Sequence, residues 1–243
     1  MKRTANDPRR AEVRQGLLPR ALRLAAQGLK WLAFSLMFSI VAEWIGMTFW
    51  WPEEGLQHSR DMLQAELAYL ETDFRQSLVS SDPPAFALAG IQAARRVLYE
   101  QSGLADFLEW LRRPPNAANK QAGSLRPFLS PLVDYVVAAL QVTQVFVARL
   151  AVLTLSMPVF LLLSLVALVD GLVQRDLRRW GGGRESSFIY HWAKRSALPL
   201  WVFAWVAYLA TPVTIHPSLV VIPLAVLFAI TVAVSARSFK KYL

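Results

Sequence analysis

LAVLTLSMPVFLLLSLVALV, residues 150–169, contains no charged side chain. At about 1.5 Å of helical rise per residue, this run covers the roughly 30 Å hydrocarbon core of a bilayer. Asp170 closes it, and DGLVQRDLRRWGGGRESSFIYHWAKR follows over 170–195. That segment sets Arg175, Arg178, Arg179, Arg184, Lys194 and Arg195 against Asp170, Asp176 and Glu185. An apolar rod leading into a cationic loop orients a chain in a membrane, with the cationic side cytoplasmic.

Composition agrees with that reading. The chain is 55% hydrophobic, with net charge +9 and mean hydropathy +0.34. The basic excess lies beside apolar runs, which favours anionic lipid headgroups over nucleic acid as its partner. Residues 1–30 show this most clearly. Lys2, Arg3, Arg9, Arg10, Arg14, Arg20, Arg23 and Lys30 face only Asp7 and Glu12. From Ala11 an amphipathic helix is expected, with Arg14, Arg20, Arg23 and Lys30 as its membrane-surface contacts. Without interleaved aromatics to stack bases, it gives no reason for direct nucleic-acid contact. The absence of cysteine excludes disulfides and Cys-based metal or redox sites.

WLAFSLMFSIVAEWIGMTFWW, residues 31–51, is the expected first span, with tryptophans at both ends. Glu43 lies inside it, and a carboxylate at that depth is a candidate intramembrane polar site. Residues 52–148 are mostly polar and net acidic. Leu56, Leu63, Leu67, Leu70, Phe74 and Leu78 recur at helical spacing, so 55–79 reads as an amphipathic helix. Asp82 caps a second helix over 84–101 that opens at Pro83, and Ser102 caps a short third one over 103–113. Residues 114–124 read as a loop. From Pro131 one long helix is expected to run into the second span, with Pro158 kinking it and Arg149 snorkelling to the outer interface.

A third span is expected over 197–215 and a fourth over 218–235, where Ala225, Ala229 and Ala233 form a small-residue ridge. Arg237, Lys240 and Lys241 close the chain in a tail over 236–243. The sequence therefore predicts an all-α membrane protein: four transmembrane helices and a periplasmic helical subdomain between the first and second. Both termini and the 170–196 loop are cytoplasmic in the bacterial inner membrane.

Chemistry is mostly excluded. His58, His191 and His216 lie in different segments with no metal-ligand spacing. GGGRESS lacks the Lys-Ser/Thr end of a P-loop, and no serine has a paired base. No cofactor and no enzymatic activity are expected. What remains is a cationic and aromatic face: Arg175, Arg178, Arg179, Arg184, Glu185, Phe188, Tyr190, His191, Lys194 and Arg195.

At this loop, VDGLVQRDLRRWGGGRESSFIYHWAKR resembles the central signature of the integrating conjugative element membrane protein family. Trp192 stands where that family's pattern has a second His. The resemblance implies a four-span inner-membrane part of a conjugative, type IV secretion-like apparatus. It implies a coupling ATPase and other conjugation proteins as partners, and no catalytic residues. The expected role is a scaffold docking the ATPase through 170–195; a homo-oligomer is compatible with it. The alternative is a small transporter or channel subunit that uses Glu43.

Overall fold

The computed structural model describes residues 17–73, 78–112, 120–181, 195, 202–203 and 205–238. Every regular element among them is helical. Helix α1 (Leu17–Ile45) is prolonged by a π-helical turn, Gly46–Trp50. Next come α2 (Leu56–Asp73), α3 (Pro83–Arg95) with its π-helical extension Arg96–Gln101, and α4 (Leu104–Arg112). Then follow α5 (Lys120–Leu155), α6 (Met157–Trp180) and α7 (Pro217–Arg237).

Local chemistry sets the helix ends. Asp82 accepts from Ala85 N–H at 3.0 Å and Pro83 opens α3, so an otherwise unpaired donor is satisfied where proline's missing one costs nothing. Gly103, at φ +74°, turns the chain into α4 in a conformation that side chains with a Cβ disfavour. Gly181 closes α6, donating to Leu177 O at 3.0 Å.

The Pro158 kink takes the form of a one-residue interruption at Ser156 within the Leu132–Arg178 stretch, which puts Pro158 in the first turn of α6 where its missing N–H is harmless. Two expectations change. The part of 114–124 that is described is not loop, because α5 already begins at Lys120. The third span is expected to run to 215, yet the helical residues 205–210 end there and 211–216 are irregular. Pro212 disfavours helical geometry at Thr211, and the carbonyls left free find another donor, described below.

Helix α5 is the hub, touching α1, α2, α3, α4 and α6. Helix α1 runs antiparallel to it: Trp44 Nε1 donates to Tyr135 O at 2.8 Å, while Leu32 and Leu36 pack beside Phe146 and Leu153. On α1, Ser35, Ser39 and Glu43 turn inward at four-residue spacing and are buried, while Phe34, Met37, Phe38, Val41 and Ile45 face outward. Helices α6 and α7 form the most extensive contact and run parallel, with Phe160 near Phe228 and Gly171 near Ala233 and Ala236. Leu70 of α2 and Ala87 and Ile91 of α3 share one apolar core with Ala148, Val152, Leu155, Phe160, Val221 and Ala225. The described helices of the polar segment therefore pack on the apolar rods.

Three stretches are long and apolar enough to cross a membrane: Ala21–Trp50, Leu132–Arg178 and Pro217–Arg237. The middle one has 47 residues. At about 1.5 Å per residue it is about twice the length that a hydrocarbon core of roughly 30 Å requires, so part of it stands clear. The outward faces of α6 and α7 carry Leu161, Leu162, Leu165, Val166, Leu219 and Ile222, a surface suited to lipid rather than water.

Candidate functional site

The polar residues converge on α2. Its buried positions Ser59, Met62, Glu66 and Leu70 recur at three- and four-residue spacing, so one face holds both apolar and ionisable groups. At its centre Arg149 Nε of α5 donates to Glu66 Oε1 at 2.7 Å, and both side chains are almost fully buried, at 1% and 0% exposure. The same guanidinium donates to Tyr208 O at 3.3 Å, to Thr211 O, and to Val213 O at 2.7 Å. Its carbon lies 5.5 Å from the Tyr208 ring centroid. Arg149 thus caps the helix that ends at Ala210, taking carbonyls orphaned by its termination. Arg149 does not snorkel outward as expected: it is enclosed and fixes α2, α5 and the 208–213 segment together. Burial pushes the Glu66 carboxyl up from its ordinary range, and Arg149 opposes this without cancelling it. Glu66 Oε2 has no partner among the described residues, which adds to that penalty.

At the start of α2, His58 Nδ1 lies 3.1 and 3.2 Å from the two oxygens of Glu43. The Trp51 ring stacks on His58 with centroids 4.1 Å apart. That indole lies directly on Gly46, where an added Cβ would collide with it. One residue further, the Gln141 amide sits with its NH2 toward Leu56 O (3.3 Å) and the Ser59 hydroxyl, and its oxygen toward Arg60 Nε (3.1 Å). At the end of α2, Asp73 meets His216 Nε2 at 3.2 Å, just before α7. Residues from α1, α5 and the turn before α7 therefore pin α2 at three points.

Of the residues singled out from sequence, Glu43 is buried and paired with His58. No sequence motif marks His58, Glu66 or Arg149 as a set, because 15 residues separate Glu43 from His58 and 83 separate Glu66 from Arg149. The signal available was charge inside helix-period apolar patterns, at Glu66 as at Glu43. The cationic face divides. Arg175, Arg178 and Arg179 lie on α6 beyond its apolar run, and Arg195 is helical and exposed. Arg175 pairs with Asp176 at 3.0 Å. Beside them Leu177 is exposed, and Trp180 is 92% exposed. Arg184, Glu185, Phe188, Tyr190, His191 and Lys194 lie outside the described residues, as does Arg14. Arg20, Arg23 and Lys30 lie on α1, the last two exposed.

Three bilayer-length apolar stretches, a polar helix clamped against them and a cationic end to α6 define a protein of membrane character whose regular elements, among the described residues, are all helical. The family model for IncC plasmid conjugative DNA transfer proteins, DtrJ-like, matches residues 50–240. The chain belongs to this DtrJ-like family and takes part in conjugative DNA transfer. The resemblance at 169–195 and the family model agree on conjugative transfer; the model names a plasmid family, not the integrating-element one. No curated protein and no solved structure matches the chain.

Proposed function

We propose that the protein is a non-enzymatic inner-membrane scaffold of the conjugation apparatus that docks the coupling ATPase through its 170–195 face. The observation that carries this reading is the overhang of α6. Beyond Asp170 the helix continues to Trp180, presenting Arg175 and Arg178 together with exposed Leu177 and Trp180. Arginine with tryptophan is the combination that anchors protein interfaces, and the cations suit an acidic partner surface.

The topology in this reading has four crossings, with both termini and the overhang cytoplasmic. The parallel run of α6 and α7 supports it, because two rods pointing the same way need a return crossing between them. The helical residues 205–210 lie on that return path. The charge distribution gives the same orientation. In this arrangement α2 and α3 are external, and the scaffold also contacts anionic lipid and other conjugation proteins, including further copies of itself.

Photocrosslinkers at Arg178 and Trp180 are expected to capture the coupling ATPase in mating-competent cells. Capture only from α2 or α3 positions would put docking on the wrong face. A reporter enzyme active only outside the cytosol, fused after Gly181, is expected to stay silent; activity there would overturn the orientation. A carrier role for Glu43 makes a separate forecast. Glu43→Gln would then abolish transfer while leaving assembly intact, whereas the scaffold reading expects transfer and assembly to change together.

A further inference from the structure

We propose that α2 is held by a proton-operated latch at His58, with the Glu66–Arg149 pair as its fixed pivot. His58 Nδ1 faces both oxygens of Glu43, whose side chain is 1% exposed. His58 itself is 17% exposed, so protons reach it while its partner stays enclosed. Its Nε2 has no hydrogen-bond partner among the described residues, so a second proton displaces no contact. The added charge then lies against a buried carboxylate and on the face of Trp51, both favourable placements for a cation.

The other groups around this contact leave its sign unchanged. From α1 the facing group is Glu43, and from the connector Glu54 adds a second negative charge near that carboxylate. On α2, Gln57 donates to Asp61 at 2.8 Å, and the Arg60 cation is turned to the Gln141 oxygen at 3.1 Å. From α5 the neighbouring side chains are the neutral Gln141, beside Ser59, and Tyr135, beside Thr48.

His216, at the other end of α2, answers protons differently. Its Nε2 faces Asp73, while its Nδ1 accepts from Ser218 N–H at 3.4 Å and so caps α7. A second proton on this ring would turn that acceptor into a donor facing a donor, losing the cap. The two histidines that pin α2 are thus not equivalent: His58 gains from protonation, whereas His216 exchanges one contact for another. A neutral His58 still donates to that carboxylate but no longer forms an ion pair with it. The first turn of α2, carrying Ser59, then lifts more readily from Gln141 of α5, while Arg149 holds the middle.

Hydrogen exchange on the full-length chain in lipid nanodiscs tests this at about pH 5.5 and about pH 7.5, across the range in which histidine side chains change charge. Rates are corrected for intrinsic exchange. Residues 56–62 are expected to be about tenfold better protected at the lower pH, the difference between an ion pair and a hydrogen bond from a neutral ring to the same carboxylate. His58→Gln is expected to abolish that response, and His216→Gln and Glu66→Gln to keep it. No response in the parent chain, or an unchanged one in His58→Gln, overturns the latch. Loss of the response in Glu66→Gln transfers the effect to the wrong group and does the same. Should His58→Gln misfold, Glu43→Gln, which removes the charge and keeps a hydrogen-bonding amide, must flatten the response; persistence there also overturns it.

Discussion

Where α2 meets its neighbours, His58, Ser59, Glu66 and Asp73 each find a polar partner. Where α6 meets α7, Gly171 packs directly against Ala233 and Ala236, with no charge involved. The α2 seam joins a polar helix to apolar rods, so its carboxylate and guanidinium must be matched or they are stranded. The α6–α7 seam joins two apolar rods that lipid would solvate equally well, so close packing of small residues makes the contact selective. The same chain uses charge matching for one joint and shape matching for the other.

Arg149→Met tests the charged joint most severely. It leaves Glu66 buried and unpaired and frees the carbonyls of Tyr208, Thr211 and Val213. The expected loss is about 3–5 kcal/mol, read as a lowered unfolding midpoint of the purified protein in detergent. A loss no larger than that of an exposed substitution would remove the clamp from the account. Gly171→Val tests the packed joint. The first carbon added there would lie 2.6 Å from the backbone oxygen of Ala233, which cannot swing aside as a side chain could. About 1–3 kcal/mol is expected from overpacking, with α6–α7 disulfide crosslinking lost between cysteines introduced into this cysteine-free chain. Undiminished crosslinking would mean that the two rods tolerate separation.

Glu66→Gln separates charge from hydrogen bonding within the first joint. The expected cost is about 1 kcal/mol, less than removing Arg149, because burial already disfavours the ionised carboxyl. The pH dependence has a definite sign. The carboxyl pKa is raised in the folded state above its ordinary 4.5, so its contribution to stability is fullest below about that pH and fades as pH rises through the raised value. Glu66→Gln should remove this slope from unfolding midpoints measured between about pH 4 and 7; a slope that survives belongs to another group. The smallest stability effect is expected at Arg175→Ala. Asp176 is 56% exposed, and such pairs contribute at most about 0.5 kcal/mol once solvent screening is allowed for. Transfer efficiency should fall nonetheless if this face docks the ATPase. A change in stability without a change in transfer would reverse that assignment.

Much of the fold was legible from local pattern. Apolar run length located the bilayer-length stretches, and Asp82 and Ser102 marked helix ends because capping depends on residues a few positions apart. The ridge at Ala225 and Ala233 could be read from four-residue spacing, since that places side chains on one helix face. Glu43 stood out as a charge in an apolar run, but its partner did not. His58 gives no sign, in a polar stretch, that a π-helical turn and Trp51 deliver it to that carboxylate. Arg149 looked like an interfacial cation because nothing nearby in sequence could satisfy five donors.

By itself, then, the sequence determined what has to be buried, how long each rod is and which flanks carry charge, because hydropathy, period and capping act over a few residues. Only the tertiary structure decided which buried charge meets which, that α2 lies along α5, and that Arg149 ends a helix 59 residues further along the chain. The reason is range. A buried ion must be neutralised by some partner, yet among several equally suitable partners the choice falls to whichever one the packing of the apolar faces brings within 3 Å or so.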